Sequence, residues 1–334
     1  MDTITIRRPD DMHVHLREGH MLSRVLFFTE IAFARALVMP NLSKPILTAA
    51  DAIDYRNTIM EARSRKFEPL MTIKLVASTT PEIVRGAKEA GVIAGKFYPE
   101  GVTTNSEDGV RDVESLYPVF EAMEECGMVL CLHGELPGAF CLDREGLFLP
   151  SLERIAEDFP GLKIVLEHVT TSEAVTAVAL LPNNVAATIT VHHLVLTLDD
   201  VVGGFLQPHH FCKPIAKRHL DRERLLAIAT SGNPKFFLGT DSAPHAVGKK
   251  ECASGCAGVF SAPVALEVLC EVFEKQDALD KLEAFTSEFG AKFYGLPLNE
   301  EFINIHREEW TVPEFYGMVR PFKAEETLSW RIPE

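Results

Sequence analysis

Two histidines, His13 and His15, stand two residues apart in the run DMHVHLR at positions 11–17. In a β-strand successive side chains alternate between faces, so His13, His15 and Arg17 share one face while Met12, Val14 and Leu16 share the other. The apolar face packs. The other face offers two imidazoles and, beyond them, a guanidinium, which suits two nitrogen ligands to one metal and a fork for an anion. An H-x-H pair by itself equally describes surface or hydrogen-bonded core histidines. Its meaning depends on partners elsewhere, and four are spaced along the chain: Lys96 in GKFYP, His133 closing VLCLH, His168 closing KIVLEH and Asp241 closing FFLGTD. Each has an ordinary explanation when taken alone: a structural histidine, a snorkelling lysine or a helix-capping aspartate.

The elements that must position these groups follow from the pattern of the chain. Eight short β-rich runs, at 12–16, 36–39, 72–77, 92–97, 128–133, 163–168, 186–192 and 236–241, alternate with helical patterns. The helical stretches are 23–33, 49–66, 82–90, 113–126, 152–159, 172–180 and 221–230, with cap signals at Thr80, Ser151 and Ser172. Strands that each lead into a helix predict an α/β fold, the (β/α)8 TIM barrel. A doubly wound open sheet fits less well, because no G-x-G-x-x-G turn follows an early strand. The barrel is expected to occupy residues 1–302, with further helices at 263–275 and 279–288. Residues 303–334 are expected to form an irregular C-terminal extension with short strands packed on it, with 301–309 a solvated polar stretch. The six candidate residues then fall at the C-terminal ends of strands one, four, five, six and eight. Barrel enzymes build their active sites on that rim.

The chain has 334 residues, 46% of them hydrophobic, which is ample for a large core. A formal net charge of -15 without a basic stripe argues against nucleic acid and anionic membrane as partners. No apolar run reaches the roughly 18 residues of a membrane span, and no h-region follows the first charges. The seven cysteines are odd in number, and Cys252-x3-Cys256 lacks a second pair at zinc-clip spacing. A cytoplasmic protein is expected.

Four histidines, an aspartate and a lysine exceed the ligand demand of one tetrahedral zinc. Two metals fit better, and two metals need a bridge, for which a hydroxide is the usual nucleophilic group. Lys96 as an ammonium would repel both cations. A desolvated site favours the neutral amine, and a neutral amine can add CO2 to give an anionic, bidentate carbamate.

These residues resemble the amidohydrolase superfamily and, within it, the shorter, self-sufficient dihydroorotases. The segments that carry the likeness are DMHVHLR, VMPNL, GKFYPEGVTTNSEDGV, LHGE, EHVTT, ATITVHHL, PHHFCKPIAKR, FLGTDSAPH, ECASGCAGVFSAP and ETLSW, between residues 11 and 330. The resemblance implies a zinc-dependent, reversible cyclisation of N-carbamoyl-L-aspartate to (S)-dihydroorotate in pyrimidine synthesis. It implies two zinc ions per subunit: one held by His13, His15 and Asp241, the other by His133 and His168, both bridged by carboxylated Lys96 and a hydroxide. Asp241 would be the proton shuttle. Arg17, Asn41 and His245 would bind the substrate's carboxylate, Thr103 and Thr104 would lie on a closing loop at 101–109, and His133, Lys213 and Ala257 would add contacts. A homodimer is the implied assembly. Two other readings stay open at this point: a hydantoinase-like cyclic amidase, and a catalytically inactive barrel serving as a scaffold.

Overall fold

A computed structural model describes residues 2–103, 106 and 108–333. Eight strands form one parallel sheet in sequential order: β2 (Asp10–Val14), β3 (Arg35–Val38), β4 (Glu68–Leu75), β5 (Ala94–Phe97), β6 (Val129–Leu132), β7 (Ile164–Leu166), β8 (Val185–Ile189) and β9 (Phe236–Leu238). The sheet closes on itself just past β9. There Val14 bridges Ser242, His15 N donates to Ser242 O at 3.0 Å, and Asp241 N donates to His13 O at 2.9 Å. All eight expected strands are present, and the architecture is a (β/α)8 barrel.

Alternation along these strands sorts the side chains into two cores. Outward residues such as Val38, Ile73, Phe97, Leu132, Leu166 and Leu238 pack under the surrounding helices. Inward residues Met12, Leu37, Leu70, Ala94, Val129, Cys131, Val165, Ala186 and Phe237 fill the lower barrel. Its N-terminal end is plugged by Phe289, Phe293 and Leu296. Apolar layers of this kind make the barrel a packed core rather than a pore.

The helices follow the expected order, with several starts displaced, such as Gly19 rather than 23 and His219 rather than 221. Thr80 caps Pro81–Glu89 by accepting from Ile83 N, as its spacing predicts. The cap of Ser172–Leu180 is Thr171, one residue early. Ser151 caps nothing, because its helix runs from Arg144 to Asp158 with Pro150 inside. Burial of Glu145, Phe148 and Leu149 holds the first turns in place despite the missing proline N–H. The expected helix at 279–288 is a 3-10 turn, Leu279–Lys281, then a π turn, Ala284–Glu288, leading into Phe289–Tyr294.

A second sheet lies beside the barrel. The N-terminal strand β1 (Thr3–Arg7) pairs antiparallel with β10 (Phe302–Thr311), and β10 with β11 (Thr327–Arg331). The stretch 301–309, expected to be solvated, is mostly exposed and forms most of β10. β1 pairs along residues 302–306 of that strand and β11 along 306–311; Ile305 is fully buried, while Arg307, Glu308 and Glu309 are exposed. Among the described residues no helix is long and apolar enough to cross a membrane.

Candidate functional site

The inward series that fills the barrel base becomes polar one layer higher. On β5, Ala94 points into the base and Lys96 follows it inward. On β6, Val129 and Cys131 are followed by His133; past β9, Phe237 is followed by Gly239 and Asp241. Gly239 has no alternative, since a Cβ there would lie 2.9 Å from the Cβ atoms of both His13 and Thr188.

Two positions depart from simple alternation. A regular strand would send His168 to the wall opposite Glu167, but a left-handed backbone, φ 41°, turns it inward. In β2 the register slips: Asp11 faces Ala36 while Val14 faces Val38, three steps against two. The extra residue lets Met12 enter the barrel base beside a His13 that also points inward. The sequence expectation that Met12 shares a face with Val14 and Leu16 is thereby corrected, for those two pack in the outer core.

The resulting pocket is lined by His13, His15, Arg17, Asn41, Tyr98, Thr103, His133, His168, Lys213, Asp241, Ala243, Ala257 and Gly258. His15 Nε2 lies 3.0 Å and His13 Nε2 3.4 Å from Asp241 Oδ1. The His133 and His168 rings are 4.7 Å apart, and His13 and His168 5.1 Å apart. Carboxylates orient two of these rings from behind: Glu167 Oε2 sits 2.8 Å from His13 Nδ1, and Glu135 Oε2 sits 2.8 Å from His133 Nε2. A ring fixed in this way presents its other nitrogen as a ligand. Thr188 Oγ1 donates to Glu167 and accepts from His168 N, tying two of the histidines together. Asp11 accepts from His13 N, Thr240 N and Thr240 Oγ1, bracing the seam of the barrel.

Arg17 adopts φ 62°, donates Nε–H to Pro244 O and places Nη2 3.0 Å from His245 Nε2. The same His245 nitrogen is 3.0 Å from Ala257 O, which ties the loop after β9 to the guanidinium. Gly258, with φ 147°, lets that loop pass close: a Cβ there would meet Ala243 O at 2.4 Å.

Burial governs the charges. It lowers the His15 imidazole to about 4, although the hydrogen bond with Asp241 works the other way. It lowers His168 well below the usual histidine value, helped by the charges of His133 and Lys96. Lys96 is fully buried, which brings its amine down despite the opposing charge of Glu167. Burial also works to raise Asp241, but the His15 hydrogen bond and the histidines around it win, and the carboxyl is held below its ordinary range. His15 is neutral at pH 7, so donation from its ring N–H, rather than a full ion pair, stabilises that carboxylate.

Neutral imidazoles, a neutral amine and a carboxylate are the forms that bind metal. His13, His15 and Asp241 offer two nitrogens and an oxygen within 4.8 Å of one another. His168 Nδ1, Glu167 Oε1 and Lys96 Nζ are buried with no hydrogen-bond partner among the described residues. Buried polar atoms in that state point to a ligand or ion, and a partnerless ammonium at full burial is untenable. The donor set fits a metal centre. In a second cluster, His192, His193 and Cys212, Thr190 Oγ1 and Pro214 O lie 2.8 and 3.0 Å from the two nitrogens of His193, while both ring nitrogens of His192 are buried without a hydrogen-bond partner among the described residues.

Ten of the residues singled out in the sequence line this one pocket. Lys96 lies beneath its wall and His245 behind Arg17; Thr104 lies outside the described residues. His209 and His210 are structural, facing Glu251 and Asp200 O. Cys252 is exposed and joins no metal-type cluster among the described residues. Sequence reasoning missed Tyr98, Glu167, Thr188, Glu135, Asp11 and Thr240. Glu167 was within reach, being two residues after inward Val165, and so was Tyr98, two after Lys96. Asp11 carries no such signal.

The model of the amidohydrolase family matches residues 10–299. A protein named dihydroorotase from Teredinibacter turnerae is 49% identical to this chain, with 99% of each covered. Among solved structures, the dihydroorotase of Saccharomyces cerevisiae in complex with 5-fluoroorotic acid superposes with a TM-score of 0.95 at 37% identity, covering 100% of this chain and 99% of the other. The dihydroorotase of Campylobacter jejuni gives a TM-score of 0.93 at 39% identity, covering 100% and 98%.

Proposed function

The chain belongs to the amidohydrolase family, and on that premise we propose how its site works. It is a cyclic amide hydrolase of the dihydroorotase type, interconverting N-carbamoyl-L-aspartate and (S)-dihydroorotate in pyrimidine synthesis. The single observation that carries the reading of the site is the convergence of His13, His15, His133, His168 and Asp241 on one buried pocket directly above Lys96, whose Nζ has no partner among the described residues.

His13, His15 and Asp241 would hold one zinc ion and His133 and His168 a second, and Lys96, carboxylated on Nζ, would supply an oxygen ligand to each. When bound, the pair supplies Lewis acidity toward the amide carbonyl and a water-derived nucleophile at neutral pH. Asp241, ionised at rest, takes the proton of the attacking water and delivers it to the ring nitrogen that leaves; cyclisation is the same path reversed. Arg17 and Asn41, with His245 braced against Arg17, read the substrate's carboxylate. Further contacts come from His133 and from the wall at Lys213 and Ala257. Thr103 and Thr104 belong to the loop that excludes water during turnover. The barrel of residues 1–302 carries the chemistry and residues 303–334 support it from the side. We place the enzyme in the cytoplasm and as a homodimer, an assembly the family type supports.

The test is an assay on both substrates with and without a chelator. Activity that a chelator abolishes and zinc restores is expected, and activity indifferent to the chelator would sink the metal-centred mechanism. Arg17→Ala separates this reading from a hydantoinase-like one, because neutral cyclic amides make no demand for a carboxylate fork. A KM for carbamoyl aspartate raised by roughly 100-fold is expected from loss of a charge-assisted bidentate contact. Survival of that activity would overturn the substrate assignment.

A further inference from the structure

One polar group in the pocket has no part in this chemistry. Tyr98 stands two residues past Lys96, so it turns inward on the same side of the chain. Its ring lines the pocket, 6.3 Å from the His133 ring, with Lys96 Nζ 5.3 Å and Lys74 Nζ 5.9 Å from its centroid. The residue is 2% exposed, and its hydroxyl is buried with no hydrogen-bond partner among the described residues.

A buried tyrosine hydroxyl ordinarily finds a partner, and one left without it destabilises the fold. A phenylalanine would fill the same space without that penalty, as Phe97 does on the opposite face of the same strand. Asp241 faces His15, and Glu167 Oε2 is engaged by His13 and Thr188; no hydrogen bond from Tyr98 to either carboxylate is formed, since its hydroxyl has no partner among the described residues. The hydroxyl therefore has a use only when something else enters the pocket. A phenol is protonated at neutral pH, so its hydroxyl can act as a donor. We propose that the Tyr98 hydroxyl donates a hydrogen bond to an oxygen of the bound substrate, making Tyr98 a substrate-contacting residue alongside Arg17, Asn41 and His245. This rests on the dihydroorotase-type reading above, whose ligands carry carbonyl and carboxylate oxygens as acceptors.

Tyr98→Phe in the zinc-loaded enzyme provides the test, with zinc content, thermal midpoint, KM and kcat measured in both directions of the reaction. The expected result is a kcat/KM lowered about three- to tenfold, the worth of one hydrogen bond. Zinc content should be unchanged, and the thermal midpoint equal to or above that of the wild type. A structural hydroxyl would give the reverse: a lower midpoint with unaltered kinetics. A loss of zinc would assign the hydroxyl to the metal centre instead. Either result overturns the proposal, as does a kcat/KM within about twofold of the parent enzyme. A wild-type enzyme inactive on both substrates would remove the functional reading and this contact together, whereas an active wild type with an unaffected variant removes the contact alone.

Discussion

The two ends of the barrel interior are built from the same strands and by the same alternation, yet they obey different rules. At the base, Met12, Leu37, Leu70, Val129, Val165 and Phe237 form an apolar plug, and the Tyr294 hydroxyl beside them is already paired with Cys131 Sγ at 3.2 Å. At the rim, two to four residues further along the same strands, the inward positions carry His133, Glu167 and Asp241, with Lys96 two past Ala94. Backbone strain collects there too: Arg17, His168 and Asp241 have positive φ, and none of the base residues does. Buried atoms of Lys96, Tyr98, Glu167 and His168 that lack a partner among the described residues lie at the same end. Strain and unsatisfied polarity persist only where surrounding structure over-determines them. The close-packed base offsets the unfavourable terms of the rim, so one end of each strand holds the fold and the other does the chemistry.

If that division is real, substitutions at the two ends must separate activity from stability. Asp241→Asn should have the largest effect on turnover, lowering kcat by roughly 10²–10⁴-fold through loss of the proton shuttle. Its circular dichroism and urea midpoint should stay near those of the wild type, with most of the metal retained. Leu37→Ala should do the opposite. Its side chain is fully buried in the base, and truncation should cost about 2–5 kcal/mol of stability, read as a lower urea midpoint. The fraction that remains folded should keep its kcat/KM. Near-wild-type turnover in the Asp241→Asn enzyme, or a Leu37→Ala enzyme that is folded but inactive, would break the comparison.

The alternation that sets this division is also what made the rim legible. Inward Val129 and Cys131 imply inward His133, and Ala94 implies Lys96, so a period of two and the order of eight strands placed these residues before any coordinates. His168 lines the pocket although alternation alone puts it on the wrong wall. The left-handed turn that brings it inward depends on Thr188, twenty residues away, and leaves no local mark in the sequence. The slip in β2 that turns Met12 inward is a property of its pairing with β3, again invisible in one strand. Ser151 failed as a cap because burial of Phe148 and Leu149 outweighs a local signal. Short strands were legible in the C-terminal extension, but not the pairing of β10 with β1, which comes from the opposite end of the chain and carries no strand signal until paired.

The helix Ala265–Lys275, against which that side sheet packs, supplies the smallest and most discriminating test, because a buried carboxyl on it responds to pH with a sign opposite to that of the rim. Glu267 is 5% exposed and accepts from Ile332 N at 3.2 Å, next to β11. Burial raises its pKa from 4.5 to about 7, against the pull of backbone hydrogen bonds and Arg331. The folded state therefore holds a proton that the unfolded chain has released between these two values, and stability contributed by the neutral acid declines as pH rises through that window. Asp241, held below its ordinary range, behaves the other way: its contribution is present above the unfolded value and fades as pH falls. Glu267→Gln removes the first term and leaves the second. The stability difference between wild type and this variant, from urea melts at intervals between pH 5 and 8, should shrink toward high pH by about 1–3 kcal/mol. Parallel curves would mean that Glu267 is ionised in the fold, and that desolvated carboxyls in this protein are not confined to the rim in their need for compensating donors.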